Sequence, residues 1–189
     1  NFGQKQTIIP GPPTLWPSAV KMALTSTQAF AENLGIDPSL YNGVHANLYK
    51  SGSDGLAPHS DNENDMLLGK PIFSYTLLAG NKKPRAFVIL RDPNHSEVES
   101  QKRDADEKFE RKLQKAAQDG KRKDNQKKPK FVPLLIELHR IMLGHGDLLV
   151  MQGQMQKYYK HSVPSSEAAV YKQSRRLNLT VRAFQAPEE

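Results

Sequence analysis

The sequence predicts an α+β, mainly β chain: a β-barrel or sandwich core, one N-terminal buttressing helix and a charged insertion. Three observations lead there. Short apolar or alternating runs bounded by turn residues recur from Gly43 to Phe184. One run at helical spacing precedes them. A stretch over 92–130 holds 12 Lys/Arg against 9 Asp/Glu and few large apolar side chains. Strands that follow one another without helices between them favour a closed or two-layered β architecture over a parallel α/β sheet.

Residues 1–17 carry Pro10, Gly11, Pro12, Pro13 and Pro17, which predicts an irregular arm. Ser18 is placed to cap a helix over 19–34, where Val20, Ala23, Leu24, Ala31 and Leu34 recur on one side, Phe30 flanks them and Gly35 stops the run. The predicted strands are Val44–Tyr49, Ile72–Leu78, Ala86–Leu90, His139–Leu143, Asp147–Met151 and Leu177–Phe184. The 92–130 stretch reads as an insertion. Within it, Glu99–Gln118 is a candidate exposed helix with Glu107 and Arg111 spaced for an i,i+4 ion pair, and Gly120–Lys130 is a basic tail too polar to pack. Two readings of the insertion stand: a solvated surface connection, or a basic arm that tracks a nucleic-acid backbone. There is no internal repeat. The chain, 1–189, is expected to be a single domain, with 1–42 as arm and helix, acting as a monomer.

Composition narrows the chemistry. The 189 residues include no cysteine, which excludes disulfides and thiolate metal sites, so a metal must be held by His and carboxylates. A net charge of +7 favours a polyanionic partner. No apolar run approaches the roughly 20 residues of a membrane helix, and the N-terminal stretch lacks a signal-peptide core, which predicts no membrane partner and an intracellular protein of nucleus or cytoplasm. The first residue is Asn rather than Met, which suggests a trimmed start.

His59-Ser60-Asp61 follows the turn-rich Ser51–Gly55. In extended backbone, side chains at i and i+2 share a face, so His59 and Asp61 are placed to grip one ion. Far along the chain, His161 follows the apolar Asp147–Met151 run and precedes Ser162-Val163-Pro164. Two imidazoles and one carboxylate leave three positions open on a ferrous ion, as a non-haem oxygenase needs for a bidentate co-substrate and O₂. In the last strand Arg176, Asn178, Thr180 and Arg182 share one face, and Leu177, Leu179 and Val181 the other. The polar face either points inward, where two guanidinium groups require an anion such as the dicarboxylate 2-oxoglutarate, or lies wet on an edge strand.

Asn47-Leu48-Tyr49, His59-Ser60-Asp61-Asn62-Glu63, Gly146–Met151, His161-Ser162-Val163-Pro164 and the Arg176–Arg182 strand together resemble the AlkB family of Fe(II)/2-oxoglutarate dioxygenases, its eukaryotic DNA-repair members most. The resemblance covers 40–91 and 132–184. It implies a double-stranded β-helix, or jelly-roll, core and the cofactors Fe(II), 2-oxoglutarate and O₂. His59, Asp61 and His161 would be the catalytic iron ligands. Arg176 would bridge the distal carboxylate of 2-oxoglutarate, Tyr49 would hydrogen-bond it, Asn47 and Arg182 would hold the chelating end, and Asn178 would support them. Glu63 and Tyr159 would meet the target base. The implied activity is oxidative demethylation of N-alkylated DNA or RNA bases, single-stranded or flipped out, releasing succinate, CO₂ and formaldehyde. The alternatives are a protein-directed hydroxylase or demethylase and a non-catalytic nucleic-acid-binding module.

Overall fold

The computed structural model describes residues 16–62, 65–80, 82–119 and 127–185, so the expectations for 1–15, Glu63 and 120–126 fall outside the described residues. The chain forms two compact units, Asn1–Ile89 with His139–Glu189, and Leu90–Leu138.

The first unit opens with helix α1 (Ser18–Asn33). Pro17, not Ser18, takes the N-cap position, and no side chain caps the helix there. A proline has no N–H to lose, and its fixed φ suits a helix start. The buried stripe is Val20, Ala23, Thr27 and Ala31. Leu34 instead lies past the last turn and is exposed, as Gly35 at φ +70° ends the helix. Thr27, being polar, adds nothing to the apolar spacing of the sequence; its hydroxyl bonds the Tyr75 hydroxyl at 3.0 Å, which makes its burial tolerable.

Eight strands follow: β1 (Tyr41–Tyr49), β2 (Leu56–His59), β3 (Ile72–Gly80), β4 (Arg85–Arg91), β5 (Ile136–Leu143), β6 (Leu148–Met151), β7 (Lys160–Val163) and β8 (Ser174–Ala183). They make two four-stranded antiparallel sheets, β1-β8-β3-β6 and β2-β7-β4-β5. The fold is mainly β, as expected. Strands β2 and β7 escaped the sequence pattern because each is four residues long and carries polar side chains with no alternation to read.

Strand β8 is central, paired on both sides, with Leu179 opposite Ala46 and Tyr75, and Asn178 opposite Asn47 and Thr76. Its apolar face, Leu179 and Val181, packs together with Phe73 of β3 against Val20, Ala23 and Ala31 of α1. Its other face lies on the side of a second cluster, in which Tyr49, Ile72 and Met151 of one sheet meet Phe87, Leu143 and Val163 of the other. The wet edge strand is therefore ruled out: Arg176, Asn178, Thr180 and Arg182 are each at most 6% exposed. Burying both faces of one strand, one apolar and one polar, is what positions the site.

The second unit is built on helix α2 (His95–Gln118), which begins four residues before the expected Glu99. Asn94 and Glu97 form a capping box, with the Glu97 backbone N–H donating to Asn94 Oδ1 at 3.0 Å and the Asn94 N–H to Glu97 Oε2 at 2.8 Å. The Arg91 guanidinium clasps Glu97 through both carboxylate oxygens, at 2.7 and 2.8 Å. Arg111 pairs with Glu107 at 3.2 Å, as the spacing predicted. Lys128 pairs with Asp106 at 2.6 Å. The described part of the basic tail thus contacts its own helix, with Phe109 and Phe131 lining a cleft between the two.

Candidate metal and co-substrate site

His59 ends β2, Asp61 lies two residues on, and His161 sits in β7, which pairs with β2 so that His59 and His161 are direct cross-strand partners. Antiparallel pairing thus brings together two imidazoles separated by about a hundred residues of chain. Their ring centroids are 4.2 Å apart. One ligand atom from each of His59, Asp61 and His161 lies within 4.8 Å of the others. Asp61 Oδ1 is 3.6 Å from His59 Nε2, and Asp61 Oδ2 is 3.9 Å from His161 Nε2.

Neighbouring groups fix each ligand. His59 Nδ1 lies 2.9 Å from the Ala57 carbonyl, which fixes the ring with Nε2 turned toward Asp61. Arg182 donates to Asp61 Oδ1 at 2.7 Å, and its other terminal nitrogen meets His45 Nδ1 at 2.9 Å. The Asp61 backbone N–H donates to Gln156 Oε1 at 2.8 Å, and the Ser60 hydroxyl donates to the Tyr159 carbonyl at 2.8 Å. The Phe87 ring stacks on His161 at 5.2 Å.

Charge states suit cation binding. Burial works to raise the Asp61 carboxyl, but its bond to His59 and the Arg182 charge outweigh burial and hold it below the usual carboxylate value. Burial pushes His161 down to about 4, so it is neutral, with a lone pair to offer, at neutral pH. For His59 burial pulls downward, yet the bonds to Asp61 and the Ala57 carbonyl win and leave it raised. Asp61 Oδ2 is buried with no hydrogen-bond partner from the chain. Two neutral-capable imidazoles and a carboxylate with an unused buried oxygen fit a ferrous ion, whose hard/borderline character matches N and O donors.

A few residues along the same face lies Arg176, 2% exposed. Its Nη2 donates to Thr76 Oγ1 at 3.1 Å and to Asn178 Oδ1 at 2.6 Å, while Nε and Nη1 are buried with no partner at hydrogen-bond geometry. Asn178 is held in turn: Ser74 donates to its carbonyl oxygen at 3.0 Å, and its amide donates to Thr180 Oγ1 at 2.6 Å. The Arg176 guanidinium lies 5.1 Å from the centre of the Tyr49 ring. Burial lowers the Arg176 pKa and raises that of Tyr49, the cost of desolvating each charge. A buried cation aimed with unused donors is a site for an anion, and a carboxylate matches its fork.

Asn47 lies opposite Asn178 in the ladder, on the same pleat face. Tyr159 is 37% exposed at the end of the short helix α3 (Met155–Tyr158). Sequence reasoning did not find His45, Arg85, Phe87 or Gln156. The signal available for His45 was pleat parity, since it shares the face of Asn47 and Tyr49; Gln156 sits in a four-residue helix with no pattern at all.

The family model of the 2OG-Fe(II) oxygenase superfamily matches residues 4–182. No curated protein matches the chain. A match spanning nearly the whole sequence, over a fold with two antiparallel sheets and a His-Asp-His cluster, makes this chain a member of the 2OG-Fe(II) oxygenase superfamily, an oxidoreductase that uses Fe(II), 2-oxoglutarate and O₂.

Proposed function

We propose that the chain is an AlkB-like dioxygenase, its two sheets forming a double-stranded β-helix, that removes alkyl groups from nitrogen atoms of nucleic-acid bases. The observation that carries this reading is the Arg176–Arg182 strand, whose Arg-x-Asn-x-Thr-x-Arg order, downstream of His59-x-Asp61 and His161, resembles that family. Support also comes from the charge of +7 and from the second unit's cleft, where Lys108, Lys112, Lys127 and Lys130 sit beside Phe109 and Phe131. Lysines around aromatic rings suit a phosphate backbone with stackable bases.

In this reading His59, Asp61 and His161 hold the iron, and Arg176 with Tyr49 receives the distal carboxylate of 2-oxoglutarate. Asn178 keeps Arg176 aimed, and Asn47 and Arg182 hold the chelating end. Arg182 also anchors Asp61 through Oδ1, which directs Oδ2 to the metal. Tyr159 lines the base pocket and Glu63 meets the exocyclic group of the base. When bound, the iron and 2-oxoglutarate would supply the O₂ activation for an oxidative N-dealkylation whose products are the free base, formaldehyde, succinate and CO₂. The base must be unpaired to reach the pocket. The partner is thus single-stranded DNA or RNA, or a duplex with a flipped base, met by a monomer. Among the described residues no helix is long and apolar enough to cross a membrane.

The test is turnover with a panel of N-methylated oligonucleotides and methylated peptides, scored by formaldehyde and succinate. Release with an oligonucleotide is expected. Release only with peptides, or with neither, would sink the nucleic-acid reading.

A further inference from the structure

Arg85 opens β4 and is 2% exposed, yet no carboxylate among the described residues lies at ion-pair distance from it. Its guanidinium donates instead to four main-chain carbonyls: Ser51 at 3.1 Å, Gly52 at 3.4 Å, Asp54 at 2.8 Å and Pro164 at 3.1 Å. The first three belong to the loop between Tyr49 and His59. The fourth follows the strand that carries His161. One planar cation therefore ties together the two loops that flank the site.

The loops are also fitted to each other around that cation. The Gly52 N–H donates to the Tyr171 carbonyl at 2.9 Å, and the Ser166 N–H to the Gly52 carbonyl at 2.7 Å. A Cβ on Gly52 would collide with Tyr171 Cβ and stand 2.8 Å from the Ser166 carbonyl oxygen. One on Gly55 would stand 2.8 Å from the Val163 oxygen and 2.9 Å from the Ser165 nitrogen. Glycine is required at both places by close backbone approach rather than by an unusual φ. Finally, the Arg85 guanidinium carbon lies 5.8 Å from the Tyr49 ring centre, so Tyr49 is flanked by two buried guanidinium groups, Arg85 and Arg176.

We infer that Arg85 is a positioning residue for 2-oxoglutarate: by clamping the 51–54 and 164 backbone and backing the Tyr49 ring, it sets Tyr49 against Arg176. The inference rests on Arg176 and Tyr49 being the carboxylate site. Lysine cannot replace it, because an ammonium group has three donors and no plane with which to span four carbonyls and the rings of Tyr49 and Tyr171, the latter centred 5.9 Å from the guanidinium carbon.

The test is calorimetric titration of 2-oxoglutarate into the Fe(II)-loaded protein without O₂, with Fe(II) affinity measured alongside. Arg85→Lys is expected to weaken 2-oxoglutarate about tenfold, in the range seen for groups that orient a site from behind. In a Tyr49→Leu background the same change is expected to cost less than about twofold, since the pathway through Tyr49 is already gone. Equal losses in both backgrounds would mean a merely structural role and overturn the inference. Affinity lost in Arg176→Ala but kept in Arg85→Lys also overturns it while leaving the carboxylate site standing; affinity kept in both overturns the two together. Should Arg85→Lys not fold, the unaltered protein still decides. Binding of 2-oxoglutarate is expected to slow amide exchange at Gly52 and Ser166, and unchanged exchange there rejects the clamp.

Discussion

Replacing Arg176 by Met should make the metal-free protein more stable while weakening its hold on 2-oxoglutarate. The guanidinium is 2% exposed and two of its nitrogens lack partners, each such buried donor costing about 1–3 kcal/mol. Against this stand its bonds to Thr76 and Asn178, charge-assisted and worth about 1.5–3 kcal/mol each, while taking a guanidinium with no counter-charge out of water costs several kcal/mol more. Asn178 keeps a donor from Ser74 after the change, so the loss is not amplified. The balance favours Met by roughly 1–3 kcal/mol, in keeping with buried charges that tolerate apolar replacement. At this chain length that is about 2–4 °C of melting temperature per kcal/mol. The anion, by contrast, loses at least one charge-assisted bond worth about 1.5–3 kcal/mol, a factor of about 10 to 150 in affinity. Thermal melts of the metal-free protein and anaerobic titration of the iron form read the two effects separately. A lower melting temperature for the variant, or an unchanged 2-oxoglutarate affinity, would refute the reasoning.

The other expectations are briefer. His59→Ala should abolish Fe(II) binding and turnover with little effect on folding, since its side chain is 33% exposed, whereas Asp61→Ala should also destabilise by about 3–5 kcal/mol by removing the carboxylate that neutralises buried Arg182; urea melts with iron-binding titrations check both. Gly52→Ala should cost about 1–3 kcal/mol through overpacking against Tyr171 and Ser166, measured by urea denaturation. The Arg91 and Asn94 bonds hold Glu97 down at about 2, below its ordinary value of 4.5. Its support for α2 is therefore complete above pH 4.5 and is lost as pH falls toward 2, so α2 amide protection should drop across that window in the native chain and not in Glu97→Gln.

The strands that carry a period-2 apolar face were legible, because burial against α1 imposes that period on β1, β3 and β8. Strand β8 shows why pattern alone left its burial open: Arg176, Asn178, Thr180 and Arg182 alternate with leucines just as a half-wet edge strand would, and only pairing on both sides reveals the interior. His59 and Asp61 were readable as neighbours two apart, while the approach of His161 depends on pairing between β2 and β7, two strands too short to leave a pattern. Arg85 was out of reach, since its partners are carbonyl groups that every residue carries. The helix start at His95 is signalled by Asn94 and Glu97, whose capping spacing is visible in the sequence.

The central claim is met most directly by a crystal structure of the protein with Mn(II), as a redox-stable stand-in for iron, and 2-oxoglutarate. An anomalous peak ligated by His59, Asp61 and His161, with the distal carboxylate of the keto acid on Arg176, is the expected result. A metal bound elsewhere, or a keto acid that leaves Arg176 untouched, would contradict the account.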